Sequence, residues 1–162
     1  MDAEREQGLL AGDEILRRKF GTKDIDVVDV LSDEVSRFIE SLDFFLIATS
    51  NRKGECDSSY RGKGKGLPLL KVLDEKTLIF PHYMGNGTFR SLGNILENPH
   101  IGMLFVDFKT GLRMRINGDA EISDNADWLK MFPKSIETVR VTVQEVYKQN
   151  RPAVVLKAQG RG

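Results

Sequence analysis

The chain has 162 residues, of which 40% are hydrophobic and 30% are charged, a composition typical of one ordinary globular domain. Its formal net charge is zero, which argues against a dedicated nucleic-acid or membrane-surface binder, since both need a basic excess. A single cysteine excludes a disulfide framework, and the polar N-terminus is unlike a secretory signal. No apolar run approaches the ~20 residues of a membrane span, so we expect a cytoplasmic protein.

The first predicted elements are two helices. Asp13–Lys19 is amphipathic and ends near Gly21. Ser32 is a good N-cap for a second helix over Asp33–Ser41, whose apolar residues recur at helical spacing.

From Phe44 onward the pattern becomes that of short strands joined by tight turns. Apolar or alternating runs bounded by turn residues predict strands at Phe44–Ser50, Glu55–Tyr60, Leu69–Leu73, Thr77–Phe80, Ile101–Val106, Leu112–Ile122 and Ser135–Tyr147. Two further helices are predicted at Thr88–Glu97, which Asn98-Pro99 ends, and at Asp127–Met131. The segments Arg61–Leu67 and Pro81–Gly87 are predicted to be irregular loops.

These elements predict a mainly β fold with short helices. Closely spaced antiparallel strands favour a small barrel, because closure removes exposed sheet edges. Residues 1–30 would form an N-terminal extension with a short helix, residues 31–158 the barrel domain, and residues 159–162 a tail.

Two glycine-bearing segments, Ser59–Gly66 and Met84–Thr88, carry the pattern most suggestive of binding. Glycine lets backbone N–H groups approach a ligand, and a helix start leaves unpaired N–H groups with partial positive charge. Arg61 and Arg90 carry guanidinium forks that suit phosphate. These features describe an anion site at a helix N-terminus. On spacing alone, an exposed hairpin loop followed by a capped helix is the favoured interpretation of the same residues.

Several motifs in order give the sequence a family resemblance. The run Phe80–Pro99 is followed by the apolar strand Ile101–Val106 and then by Arg115-Ile116-Asn117-Gly118. Shorter matching motifs are Tyr60-Arg61-Gly62, Gly85-Asn86-Gly87 and Ser91-Leu92-Gly93-Asn94. Over roughly residues 44–147 the chain resembles the pyridoxamine 5′-phosphate oxidase-like family of FMN-binding split β-barrels.

The resemblance implies a six-stranded antiparallel split barrel that forms a homodimer, with FMN bound at the subunit interface. It implies an FMN-dependent oxidoreductase that acts on a small molecule, in which the flavin carries the chemistry and the protein positions it. No nucleic-acid or membrane partner is implied. No catalytic side chain and no metal ligand are predicted, and no common zinc spacing surrounds the two histidines, His82 and His100.

The family's binding residues carry over to individual positions. By resemblance, Arg61 reaches the FMN phosphate, Arg90 and Ser91 form a phosphate-binding pair, Arg113 reaches the FMN of the partner subunit, and Lys71 holds a substrate phosphate. The resemblance also implies that Leu69, Leu70, Phe80 and Pro81 lie against the flavin and that Gly62 belongs to the FMN-binding loop. The predicted helix start Asn86-Gly87-Thr88 completes the expected FMN contacts, because its glycine and its unpaired N–H groups suit a phosphate.

The sequence also departs from the family. Residues 148–152 lack the Asn-Cys-Pro-Arg loop that related members carry, and the C-terminus lacks the substrate-binding arginine and the Arg-Leu-Ala-Pro ending of true pyridoxamine-phosphate oxidases. These differences argue against vitamin-B6 oxidation. A non-catalytic flavin-binding module and a haem-binding module, the latter using His82 or His100 as axial ligand, stay open as alternatives. An oligonucleotide-binding barrel would need exposed aromatic residues beside the cations.

Overall fold

The computed structural model describes residues 12–21, 26–85 and 87–149. Within these ranges the helices are α1 (12–20), α2 (Asp33–Ser41), α3 (Arg90–Glu97) and α4 (Ala126–Met131). The strands are β1 (Val27–Val28), β2 (Phe44–Ser50), β3 (Cys56–Gly62), β4 (Lys71–Asp74), β5 (Thr77–Tyr83), β6 (His100–Val106), β7 (Arg113–Ser123) and β8 (Ser135–Gln149).

The strands form one antiparallel sheet in the order β3-β2-β6-β7-β8-β5-β4, and β1 pairs with β8 outside this path. Among the described strands β3 and β4 are the two ends of the order, as in a barrel that is split rather than closed. The predicted mainly β split-barrel fold with short helices is confirmed. Within the described residues the strands number eight rather than the six that the resemblance implies; the sequence pattern predicted seven of them, and the eighth is the two-residue β1.

The core lies on the inner face of the sheet. Alternate residues of the strands point inward, so Phe45 and Ile47 of β2 are buried while Leu46 between them is exposed. Helix α2 buries Ile39 in this core, and its first turn is capped by the Ser32 hydroxyl, which accepts a hydrogen bond from the Val35 N–H at 3.2 Å. The predicted second helix is therefore confirmed with its cap.

The strands β7 and β8 are the longest in the sheet and pair along most of their length. Their register shifts between Asn117 and Gly118, which marks a β-bulge. A Cβ atom built on Gly118 would lie within contact distance of the Thr142 carbonyl oxygen and 3.2 Å from the Cα atom of Val143. The bulge therefore requires glycine at this position.

The structure corrects three predicted boundaries near the glycine-bearing segments. Arg61 and Gly62 continue strand β3 because they pair with Phe45 and Phe44 of β2. Strand β5 runs through Pro81 to Tyr83, because these residues still pair with β8. The pairing of β5 with β4 has already ended there, so Pro81 lies at an edge of the sheet, where proline is tolerated.

The third correction concerns the start of helix α3. The sequence predicts this helix from Thr88, but it begins at Arg90. Phe89 adopts a left-handed conformation with φ 47°, which is incompatible with continuing the helix toward the N-terminus. Thr88 therefore precedes the helix and does not share a helix face with Ser91.

Helices elsewhere agree with the sequence. The described part of α1 covers the predicted Asp13–Lys19, and α4 begins one residue before the predicted Asp127. None of the helices in the described part of the chain has the length and apolar character needed to span a bilayer.

Candidate functional site

Two adjoining clefts lie between β3, the end of β5 and the start of α3. The larger has a volume of about 390 Å³, which falls within the range of about 300–1,000 Å³ typical of small-molecule sites. The smaller has a volume of about 170 Å³ and is walled by Phe45, Leu69 and Pro81. The clefts share Tyr60, Arg61 and Tyr83, so they form one continuous depression with a polar part and an apolar part.

Arg61 lies at the junction of the two clefts because of its place in the sheet. It is directly opposite Phe45 of β2, which places its side chain on the inner face of the barrel. Its guanidinium carbon lies 5.9 Å from the centre of the Phe80 ring, a cation–π arrangement. Burial lowers the pKa of Arg61, and no carboxylate offsets that cost within the described residues.

The Arg61 guanidinium is also tied to a histidine. Its Nη1 lies 2.9 Å from Nδ1 of His82, two residues beyond Phe80 on β5. The His82 ring packs against Phe89 with ring centres 5.5 Å apart. Burial lowers the pKa of His82, and the nearby positive charge of Arg61 lowers it further. The imidazole is therefore neutral at pH 7.

The start of α3 closes the other side of the larger cleft. Gly87 has φ 77°, a conformation that favours glycine, and the N-cap residue Phe89 makes no side-chain hydrogen bond to the helix. Phe89 itself therefore supplies no side-chain cap to α3, and the helix start carries partial positive charge. Thr88, Arg90 and the buried Ser91 line the cleft beside them.

Two buried polar atoms at this junction lack a hydrogen-bond partner in the part of the chain that the structure describes. They are Nε of Arg61 and the hydroxyl of Tyr83. Burial raises the pKa of Tyr83, so its hydroxyl keeps its proton at neutral pH. Both atoms are donors, and buried donors without partners are costly. A ligand with acceptor oxygens would satisfy them.

The structure brings most of the sequence-predicted site residues together. Those that line a cleft are Arg61, Gly62, Leu69, Pro81, Gly87, Thr88, Arg90 and Ser91. Leu70 and Phe80 lie beside the clefts with side chains fully buried in the core. Lys71 is on β4 and Arg113 on β7, and neither lines a cleft. Asn86 lies outside the described residues, as do the predicted tail and most of the segment 148–152.

Sequence reasoning assigned no binding role to Asp57 and Ser59 of β3 or to Tyr83 at the end of β5. Asp57 and Ser59 line the larger cleft because they share the inner face of β3 with Arg61. Their spacing of two residues would have indicated this shared face if β3 had been predicted to continue to Gly62. Tyr83 lines both clefts, yet the sequence places it in a predicted loop. His100, the second histidine, is on the surface 3.0 Å from Asp119 and lines neither cleft.

The outer face of the sheet carries a row of residues directly opposite one another on six strands. We call it the outer row, and it consists of Val27, Tyr147, Arg115, Leu104, Leu46 and Tyr60. The Arg115 guanidinium donates to the Tyr147 hydroxyl at 3.2 Å, and Tyr60 stacks on Phe44 with ring centres 5.2 Å apart. Tyr60 is 65% exposed and Leu46 36% exposed, so this face presents apolar side chains to solvent.

Comparison with known families gives one match over most of the chain. The family model described as pyridoxamine 5′-phosphate oxidase matches residues 31–160. A search of curated proteins finds no match. The described residues hold no group of three or more His, Cys, Asp or Glu side chains placed to bind a metal ion.

Solved structures share the fold at low sequence identity. HupZ of Group A Streptococcus is 21% identical with a TM-score of 0.58 over 75% of this chain and 95% of its own. A Lactobacillus delbrueckii protein named after pyridoxamine 5′-phosphate oxidase is 19% identical with a TM-score of 0.57 over 74% of this chain and 94% of its own. The FAD binding protein from Mycobacterium smegmatis is 17% identical with a TM-score of 0.51 over 75% of this chain and 97% of its own. At these identities the similarity extends to the fold alone.

Proposed function

The chain belongs to the pyridoxamine 5′-phosphate oxidase family, and on that premise we propose that it binds FMN in the two adjoining clefts and uses it as an oxidoreductase acting on a small molecule. The observation that carries the proposal is Arg61. It is a half-buried cation at the junction of the clefts, with an unpaired Nε donor and no carboxylate partner among the described residues. Such a charge is costly unless an anion accompanies it.

The residues present fit both ends of this cofactor. Arg61, Arg90, Ser91 and the backbone at the start of α3 would hold the phosphate, since they line the larger cleft and supply donors and positive charge. Leu69 and Pro81 would lie against the flavin ring, since they form apolar walls of the smaller cleft. The similarity in fold to an FAD binding protein is consistent with a flavin in these clefts, but it does not distinguish FMN from FAD.

The chain's own groups would position the cofactor rather than perform proton transfers. A bound flavin supplies the capacity to accept a hydride from a reduced substrate and to pass electrons onward. The buried walls of the smaller cleft would exclude water from one face of the ring, and the protonated Tyr83 hydroxyl would donate a hydrogen bond at the junction. Lys71 and Arg113 line neither cleft, so any role for them in this function needs a second subunit or a bound substrate.

The proposal includes a homodimer that pairs through the outer face of the sheet. The outer row exposes Leu46 and Tyr60 together with Arg115, and a contiguous exposed apolar face of this kind marks an interaction surface. Arg113 shares the outer face with Arg115, two residues along β7, so a partner subunit on this face would lie beside both arginines.

Replacing Leu46 with aspartate is expected to weaken this dimer by at least about tenfold, because each copy would bury an unpaired carboxylate in the interface. Sedimentation velocity at micromolar concentration, with FMN present, measures the change. Leu73→Asp is the matched control, since Leu73 is a similarly exposed leucine on β4, away from the outer row. A dimer that tolerates Leu46→Asp, or a wild-type monomer, would contradict the interface.

The visible absorption spectrum of the protein, after incubation with FMN and removal of the free ligand, tests the proposed function. We expect the two absorption bands of a flavin to stay with the protein. A single intense band near violet in the protein as purified would instead indicate haem, with His82 as the available ligand in the larger cleft. Loss of all colour on removal of the free ligand would overturn the proposal.

A further inference from the structure

The contact between Arg61 and His82 fixes which imidazole nitrogen carries the proton. The arginine side chain has five N–H donors and no acceptor, so its Nη1 must donate across the 2.9 Å contact. Nδ1 of His82 must therefore be the unprotonated, accepting nitrogen, and the ring proton is on Nε2. Because burial and the charge of Arg61 lower the pKa of His82, the ring stays in this neutral form at pH 7.

The contact restricts the guanidinium in a way that β3 alone does not. Arg61 is the penultimate residue of its strand. Without further contacts its long side chain would keep its rotamer freedom until a ligand bound. The cation–π contact with the Phe80 ring and the hydrogen bond to His82 Nδ1 together hold the guanidinium at the junction of the clefts. Phe89 packs on His82 in turn, so the residue that precedes α3 holds the histidine ring in place.

We propose that His82 is a positioning residue for anion binding: by accepting a hydrogen bond from Arg61, it orients the guanidinium so that its remaining N–H groups can meet a phosphate ester in the larger cleft. This inference rests on the proposed function, since it concerns the group that would hold the FMN phosphate. It adds a role for a residue that contacts Arg61 rather than the phosphate.

Two substitutions separate the acceptor of His82 from its ring. His82→Phe keeps an aromatic ring to pack on Phe89 but removes the acceptor. His82→Asn removes the ring but places an amide oxygen close to the position of Nδ1. We expect His82→Phe to lower FMN affinity by about five- to tenfold, which lies within the roughly two- to twelvefold that loss of one hydrogen bond costs. His82→Asn should retain most of the wild-type affinity. Riboflavin, which lacks the phosphate, should bind all three proteins alike.

The measurement is fluorescence titration of each protein with FMN and with riboflavin, together with a thermal melt. If the wild type prefers FMN and His82→Phe keeps that preference, or if His82→Asn loses as much affinity as His82→Phe, the positioning role is overturned while the proposed function stands. A wild type that binds both ligands equally overturns the proposed function and this inference with it.

Nitrogen-15 NMR provides a readout that does not depend on flavin or on a variant that folds. The chain has two histidines, so the spectrum of the wild-type protein is simple to assign. We expect His82 to be neutral with its proton on Nε2. A His82 protonated on Nδ1 at pH 7 would overturn the inference.

Discussion

Replacing Arg61 with alanine is expected to weaken FMN binding by about 10- to 100-fold, since a hydrogen bond to a charged group contributes about 1.5–3 kcal/mol and each 1.4 kcal/mol is tenfold in affinity. Riboflavin affinity should change little, because riboflavin has no phosphate for the guanidinium to hold. The physical reason is that Arg61 is half-buried and lacks an anionic partner among the described residues. Its interaction with a phosphate would therefore be stronger than that of an exposed cation.

Lys65→Ala is the matched control for Arg61→Ala. It removes the same charge from the exposed segment that follows β3, and Lys65 lines neither cleft. We expect it to leave the affinity for both ligands unchanged, since Lys65 is exposed outside both clefts and its charge is screened by solvent and salt. Titration by flavin fluorescence, with a thermal melt to verify folding, measures the three proteins. Equal losses of FMN and riboflavin affinity in Arg61→Ala would show that the phosphate is held elsewhere.

Replacing Gly118 with alanine is expected to destabilise the fold by about 3 kcal/mol, since overpacking costs about 1–3 kcal/mol and occasionally more. The new methyl group would press on the Thr142 carbonyl and on the Cα atom of Val143, and both are backbone atoms that cannot turn aside. The bulge in the pairing of β7 with β8 would have to be remodelled along with it. The midpoint of thermal unfolding should fall by about 10 °C for a chain of this size.

Gly93→Ala is the control for Gly118→Ala. Gly93 lies in helix α3 with nothing within 4 Å of an added Cβ, so alanine meets no clash there. It should raise stability slightly, because alanine is favoured over glycine in a helix by about 0.5–1 kcal/mol. Thermal melts of both variants decide the point. A Gly118→Ala protein as stable as the wild type would show that the bulge does not constrain this residue.

The local sequence pattern predicted those helices and strands that are determined by interactions between residues close together in the chain. Helix α2 has its N-cap at Ser32 and its apolar residues at helical spacing, and strand β2 has the predicted bounds Phe44–Ser50. Elements that depend on distant partners were predicted less well. Strand β1 has two residues and exists because it pairs with β8, more than a hundred residues later in the chain.

The candidate site shows the same division. Arg61, Gly87, Arg90 and Ser91 were predicted from glycine-bearing segments, basic residues and family resemblance, and the structure brings them to one cleft. The pairing of Arg61 with His82 joins residues 21 positions apart on strands that are not neighbours in the sheet, so no periodicity predicts it. The left-handed conformation of Phe89, which moves the start of α3 to Arg90, is equally unmarked in the sequence.

Titration of the wild-type protein with FMN and with riboflavin tests the central claim most directly, because the two ligands differ only in the phosphate. We expect saturable binding of one FMN per chain, with an affinity at least about tenfold above that for riboflavin, as one charge-assisted contact at Arg61 requires. Equal affinity for the two ligands, or no saturable binding of FMN, would contradict an anion site at the junction of β3 and α3.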